Sequence, residues 1–225
     1  MNTNTKQRAF PTIPNKNICL SIGTLLAVRF YYEKLHFCDI FSKHKSKSLD
    51  INSLLIGLLS YKLTENFSIK EAGNWLNRKE ILEILNLKHF HERVLYRILE
   101  ILGRNKEEIL SGILNSLFSV YEFKVTDINL DWTSIVLHGT KANLGKFGYS
   151  RDHRPDKLQI TVGVSELKKP INIPIGITVN RGNVLDLDHF SDTYNQVKSR
   201  LKEGSHIVFD KGANTKDNIN IIQDA

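Results

Sequence analysis

The sequence predicts an α+β protein: an all-helical first half, then an antiparallel three-strand meander joined through one crossover helix to a parallel fourth strand. Three observations carry this. Apolar residues recur at helical spacing from Ile18 to Phe118. After Tyr121 the pattern changes to short runs rich in β-branched residues, bounded by Gly and Pro. A helical period then returns once, over Asp188 to Leu201, ahead of the apolar run Ile207-Val208-Phe209, and a strand, helix, strand crossover favours parallel pairing.

Taken in order, Met1 to Asn17 is polar, rich in Asn and Thr, and carries Pro11 and Pro14, so residues 1–17 read as a flexible lead-in. A first helix is predicted from Ile18, with Ile22, Leu25, Leu26 and Phe30 as its apolar face, and Phe41 to Ser48 as an exposed basic loop. Ile51 to Leu63 forms the next helix, its stripe being Leu54, Leu55, Leu58 and Leu59. Ser68-Ile69-Lys70-Glu71 has the pattern of a hydroxyl N-cap with a carboxylate three residues on, opening a short helix through Trp75. After a break near Asn77, Lys79 to Leu85 is helical again. The pair has the outline of a helix-turn-helix and equally that of two helices in an ordinary bundle.

His91 to Leu102 is the most regular helix. Val94, Leu95, Ile98, Leu99 and Leu102 fall on one side and Arg93, Arg97 and Arg104 on the other. That row suits a phosphate backbone, or a solvated face softened by Glu92 and Glu100. Glu107 to Phe118 supplies a further amphipathic helix and completes a helical domain over residues 18–122. In residues 123–225, Ile128 to Leu137, Leu158 to Val164 and Ile173 to Val179 are the meander strands, with Pro170 and Pro174 at a turn or strand edge. Thr215 to Gln223 begins a last helix.

Size and composition place few limits on function. The chain has 225 residues, 41% hydrophobic and 24% charged, and no apolar run approaches the roughly 18 residues needed to cross a bilayer. The N-terminus has no basic, apolar, small-residue signal, which predicts a cytoplasmic protein with no membrane partner. Cys19 and Cys38 have no zinc-ligand spacing and read as reduced thiols. The net charge of +7 is concentrated before Leu49, where Lys6, Arg8, Lys16, Arg29, Lys34, Lys43, Lys45 and Lys47 face only Glu33 and Asp39. Such an arm fits a polyanion partner or a solubilising tail.

The residues with chemical promise lie in the second half. The loop Gly139 to Gly148 follows a strand as a P-loop does, yet its spacing is one residue too long and Phe147 stands where a magnesium-binding hydroxyl belongs, so nucleotide hydrolysis is not expected. The loop offers Lys141 and Lys146. The continuation Tyr149-Ser-Arg-Asp-His-Arg-Pro-Asp-Lys157 adds Tyr149, Arg151, Arg154 and Lys157, a mixture suited to a nucleic-acid backbone and also to a mobile polar hairpin. Asp131 and Asp210 are the sharper candidates. Each lies on an apolar strand run, where a carboxylate is paired with a cation, solvated at a strand end, or bound to a metal. If the first and fourth strands are parallel neighbours, the two can share a divalent ion, and oxygen donors suit magnesium or manganese.

The combination of a basic helical half, Leu-Asp-Trp-Thr opening a three-strand meander, Tyr-Ser-Arg-Asp-His-Arg-Pro-Asp-Lys-Leu-Gln-Ile, and Ile-Val-Phe-Asp-Lys-Gly resembles the N-terminal part of DDE transposases of bacterial and archaeal insertion sequences. The resemblance implies a ribonuclease H-like catalytic domain in which two Asp and one Glu bind Mg2+ or Mn2+ and cut and rejoin DNA ends. It implies that Asp131 and Asp210 are the first two acids and metal ligands; Lys211, beside the second, joins the candidate nucleic-acid contacts. It also implies double-stranded DNA at element terminal repeats as partner, with a homodimer or a full-length transposase as protein partner, at the nucleoid. The family's third acid lies on a later helix. Asp217 and Asp224 match no third-acid motif, so the expectation is an incomplete ribonuclease H-like domain, inactive alone. The alternative function is a non-catalytic DNA-binding remnant or regulator; a third reading makes both Asp residues purely structural.

Overall fold

The structure, a computed structural model, describes residues 22–44, 49–65, 67–121, 127–168 and 172–223. The lead-in 1–17, Cys19, loop residues 45–48, Pro170, Asp224 and the expected domain boundary at residues 122–123 lie outside the described residues. The chain divides into two compact units, Met1–Ser116 and Leu117–Ala225. The described part is mixed α+β.

The first half contains α1 (Gly23–Lys34), α2 (Phe37–Ser42), α3 (Ile51–Thr64), α4 (Ile69–Leu76), α5 (Lys79–Leu85), α6 (Arg93–Arg104) and α7 (Lys106–Tyr121). The centre of the helical unit is α3. It carries no charge before Lys62 and so has no wide polar face; Ile51, Leu54, Leu55, Ile56, Leu58 and Tyr61 are all buried. Leu59, expected on the buried stripe, is partly exposed instead. The Asp50 carboxylate caps this helix by accepting the Ser53 N–H at 3.1 Å.

Two expectations for the N-terminal helices are corrected. In α1 the buried side is Leu25 and Tyr32, with Val28 against the same core, whereas Leu26 and Phe30 face outward. Positions 25, 28 and 32 also share one helical face, and contact with α3 selects it. The segment from Phe41 is not loop throughout, because Phe41 and Ser42 end α2. Phe37 and Phe41, one turn apart, pack against Tyr32 with ring centroids at 5.5 and 5.8 Å, and this aromatic contact accompanies a six-residue helix.

The turn between α4 and α5 is tied down by one side chain. Ser68 Oγ accepts the Glu71 N–H at 3.2 Å and starts α4 as its sequence predicts. At the other end, the Asn77 amide donates to Gly73 O and Phe90 O, at 3.0 and 2.9 Å, and accepts the Phe90 N–H at 3.0 Å. The helix pair is thereby fastened to the segment that enters α6. In α6, Leu95 and Ile98 are fully buried, while Leu99 turns partly outward.

The second half contains β1 (Ile128–Val136), β2 (Gln159–Leu167), β3 (Ile173–Arg181), α8 (Asp186–Val197), β4 (Ile207–Phe209) and α9 (Lys216–Gln223). The four strands form one sheet in the order β3-β2-β1-β4. β1 with β2 and β2 with β3 are antiparallel; β4 runs parallel to β1. Pro174 lies in edge strand β3 opposite Glu166, beside a register shift at Ser165/Glu166, a position where a missing N–H is tolerated.

One face of the sheet is covered by α8. Ile128, Leu130, Trp132 and Ser134 alternate along β1 as buried residues, and Asp131, Thr133 and Ile135 are exposed between them. Phe190 packs on Trp132, Tyr194 and Phe209, with centroids at 6.1, 5.9 and 5.0 Å. Beneath the helix lies a polar knot. Thr193 Oγ1 accepts from Trp132 Nε1 at 3.0 Å, sits 3.0 Å from Thr178 Oγ1, and donates to the backbone carbonyl of His189 at 3.0 Å. Gly163 is the strand residue under this knot: a Cβ there would lie 2.4 Å from Thr193 Oγ1. No helix among the described residues is long and apolar enough to cross a membrane.

Candidate functional site

The site follows from strand register. β1 and β4 pair at Ile128↔Ile207, Asn129↔Val208 and Leu130↔Phe209, and the next residue on each strand is an aspartate. Asp131 and Asp210 therefore lie side by side where β4 leaves the sheet, on strands about 4.8 Å apart. Of the three states open to a carboxylate on such a strand, Asp210 occupies the solvated one, and Asp131 is both exposed and within ion-pair distance of a cation, Arg151. Each also accepts the N–H of the residue that follows it, Asp131 from Trp132 at 2.8 Å and Asp210 from Lys211 at 2.6 Å. The Asp210 contact caps a 3-10 turn, Lys211–Ala213, which fixes where the strand ends.

The loop Gly139 to Gly148 and the turn after it are fastened to the sheet at the start of β2, where Gln159 lies opposite Val136, further along β1 than Asp131. Lys146 exchanges both backbone hydrogen bonds with Gln159 at 3.0 Å. Gln159 Nε2 donates to Tyr149 O at 2.7 Å and to Gly182 O at 2.9 Å. Gly148 lies against Gly182 so closely that a Cβ would meet the Gly182 carbonyl oxygen at 2.0 Å. The turn is therefore anchored at its base rather than only a polar hairpin. Lys141, Lys146 and Tyr149 are exposed, and Lys157 is half-buried.

The arginines of this turn differ in their occupation. Arg154 closes a two-bond fork on Asp156, at 2.8 and 2.9 Å, and this holds the Asp156 carboxyl down at about 2. Arg151 reaches into the acid site. Its backbone N–H donates to Ser134 Oγ at 3.2 Å, its Nη1 donates to the Trp132 carbonyl, and its Nη2 meets Asp186 Oδ2 at 2.5 Å. The same guanidinium lies 4.0 Å from Asp131 Oδ1. Side-chain exposure is 79% for Asp131, 36% for Arg151 and 30% for Asp186, so the Arg151–Asp186 pair is the more enclosed part.

Asp186 escaped sequence reasoning, which started the helix at Asp188. A carboxylate two residues earlier suits the positive end of a helix, and this is the local signal that was available. Its side chain also faces the turn after Asp210, since a Cβ on Gly212 would lie 3.8 Å from Asp186 Oδ2. Among the described residues no group of three acidic, His or Cys side chains is arranged to hold a metal ion. A cleft of about 100 Å³ beside Arg151 is lined by Thr133, Ser134, Tyr149 and Asp186. A larger recess of about 780 Å³ lies at the other end of α8, around Tyr194, Lys198, Leu201 and Ile207, and includes neither acid.

The candidate contacts in the helical unit form a separate set. Arg93, Arg97 and Arg104 are all exposed on α6, with Tyr96 in the same row. Arg104 is bound to Glu100 at 2.5 Å, which leaves Arg93 and Arg97 as the more available charges. Within the basic N-terminal region, Arg29 is structural: its Nη2 donates to Ile84 O at 2.9 Å, at the end of α5. Cys38 is a free thiol, half-buried, and burial pushes its pKa up, which makes it a poor nucleophile. Comparison with known protein families, with curated proteins and with solved structures gives no match for this chain.

Proposed function

We propose that the chain is a DDE transposase-like protein whose helical unit binds duplex DNA and whose mixed sheet is a ribonuclease H-like scaffold presenting Asp131 and Asp210 to a divalent cation. The observation that carries this reading is the parallel pairing of β1 with β4, whose last rung, Leu130↔Phe209, is followed on both strands by an aspartate. Two solvated carboxylates on adjoining strand ends are a donor set of the kind magnesium and manganese take, with water completing the shell. Such an ion, when bound, activates a water or sugar hydroxyl and stabilises the leaving oxygen of a phosphodiester. The chain's own part is to hold the two acids in register and to place Lys211 and Arg151 beside them.

A second reading, DNA binding without cleavage, is favoured by a separate observation: Arg93 and Arg97 stand exposed on α6 beside Tyr96, distant in sequence from either acid. One experiment addresses both. A labelled duplex is incubated with the purified chain at low salt, with Mg2+ or Mn2+, and scored for retardation and for cutting, against Asp131→Asn and Asp210→Asn variants. Binding with acid-dependent cutting supports the enzyme and overturns the expectation that the chain is inactive alone; binding without cutting meets that expectation and supports the second reading. No retardation at low salt, where phosphate contacts are strongest, refutes both.

A further inference from the structure

Arg151 stands between two carboxylates of opposite character. Asp186, on the first turn of α8, holds Nη2 at 2.5 Å; Asp131, on β1, lies 4.0 Å from Nη1. The Nη1 hydrogen bond to the Trp132 carbonyl keeps the guanidinium at this level of β1. The fork is thus drawn off Asp131 by Asp186 without leaving its neighbourhood. A cation within 4.0 Å of Asp131 competes with any other cation that seeks the same carboxylate.

We propose that Arg151 is a resident counter-cation shared between Asp186 and Asp131, and that Asp186 acts as a positioning residue which sets how strongly Arg151 competes with a divalent ion for Asp131. This rests on the reading of Asp131 and Asp210 as metal ligands. Asp186 itself is not a ligand. Its role is to keep Arg151 parked. Removing the guanidinium frees Asp131; removing Asp186 leaves Asp131 as the nearest carboxylate for Arg151.

The test is Mn2+ binding by the intact chain, followed by electron paramagnetic resonance of free Mn2+, with thermal unfolding as the folding control. Arg151→Gln keeps a donor for the Trp132 carbonyl and removes the charge, and Mn2+ binds it about tenfold more tightly, the scale of one unit charge acting on a divalent ion a few ångströms away in a nearly aqueous setting. Asp186→Asn binds several-fold more weakly. The double variant binds like Arg151→Gln, because Asp186 acts only through Arg151. A salt bridge that only braces the fold would lower the unfolding midpoints and leave affinity unchanged.

Asp131-dependent Mn2+ binding with no change in either single variant overturns the inference and leaves the acid pair standing. Additive effects in the double variant also overturn it, since they mean long-range charge without sharing. If no variant binds Mn2+ in an Asp131-dependent way, the underlying metal reading falls together with it. Should Arg151→Gln fail to fold, Asp186→Asn still decides: unchanged affinity there overturns the inference.

Discussion

Substitution of Gly163 by alanine tests how the helix that carries Asp186 is seated. The new Cβ would lie 2.4 Å from Thr193 Oγ1, 2.6 Å from Thr178 Oγ1 and 3.0 Å from Trp132 Nε1. Each of those atoms is held: Trp132 donates to Thr193, the two threonine hydroxyls are 3.0 Å apart, and Thr193 donates to His189 O. Threonine is stiff at χ1, so the knot has little room to move aside. Overpacking of this kind costs about 1–3 kcal/mol, and the two hydrogen bonds it would part contribute about 1 kcal/mol each. The expected loss is roughly 3–5 kcal/mol, a large part of the ~5–15 kcal/mol by which a domain is stable. The chain has two tryptophans, Trp75 in α4 and Trp132 under α8, so urea unfolding followed by fluorescence in a Trp75→Phe background reports on Trp132. Thr193→Ala, which removes the nearest oxygen, should make Gly163→Ala less harmful than it is alone. A Gly163→Ala protein within about 0.5 kcal/mol of the parent would refute the packing argument.

Other consequences follow from residues already placed. His189 is fully buried in α8 with both ring nitrogens lacking a hydrogen-bond partner, and burial pushes its pKa down, partly opposed by Asp192 and Asp186. Its unfolded form takes up a proton near pH 6.5, so its contribution is complete above about pH 6.5 and declines as pH falls towards the depressed folded value. The urea midpoint should drop as pH falls below about 6.5, and His189→Leu should flatten that drop; an equal drop in both proteins refutes the assignment. Ser68→Ala should destabilise α4 by about 1 kcal/mol in the unfolding of the helical unit, through loss of the bond from the Glu71 N–H. If α6 lies along DNA, Arg93→Ala and Arg97→Ala should each reduce the slope of log affinity against log salt by about 0.9, while Arg104→Ala, already paired with Glu100, should change it less.

The sequence was most informative where structure is periodic. Alternation along Leu130-Asp131-Trp132 places the acid outward and the indole inward, and the crossover before Ile207 predicts the parallel pairing that sets Asp210 next to Asp131. The Ser68 cap was legible because it is local. Contacts between distant positions left no such trace. Arg151 and Asp186 are 35 residues apart, and no spacing rule joins them. The buried face of α1 was misread because positions 26 and 30 are as apolar as 25 and 32, and only the neighbour α3 decides between them. The end of α2 was misread because Phe41 and Ser42 stand directly before Lys43, Lys45 and Lys47 and read as part of that basic loop.

The short fourth strand has a consequence for motion. Asp210 is kept beside Asp131 by three rungs of parallel ladder and by the Ile128 N–H bonded to His206 O at 2.9 Å. Three rungs are few, and β4 stands at one end of the strand order. Brief opening of this strand separates the carboxylates while the meander and the helical unit remain folded, because sub-global openings cost less than complete unfolding. The acid pair is therefore expected to exchange between joined and parted forms. The Ile128 amide should consequently exchange with solvent deuterium well before those in the middle of β2, whose strand is paired on both sides.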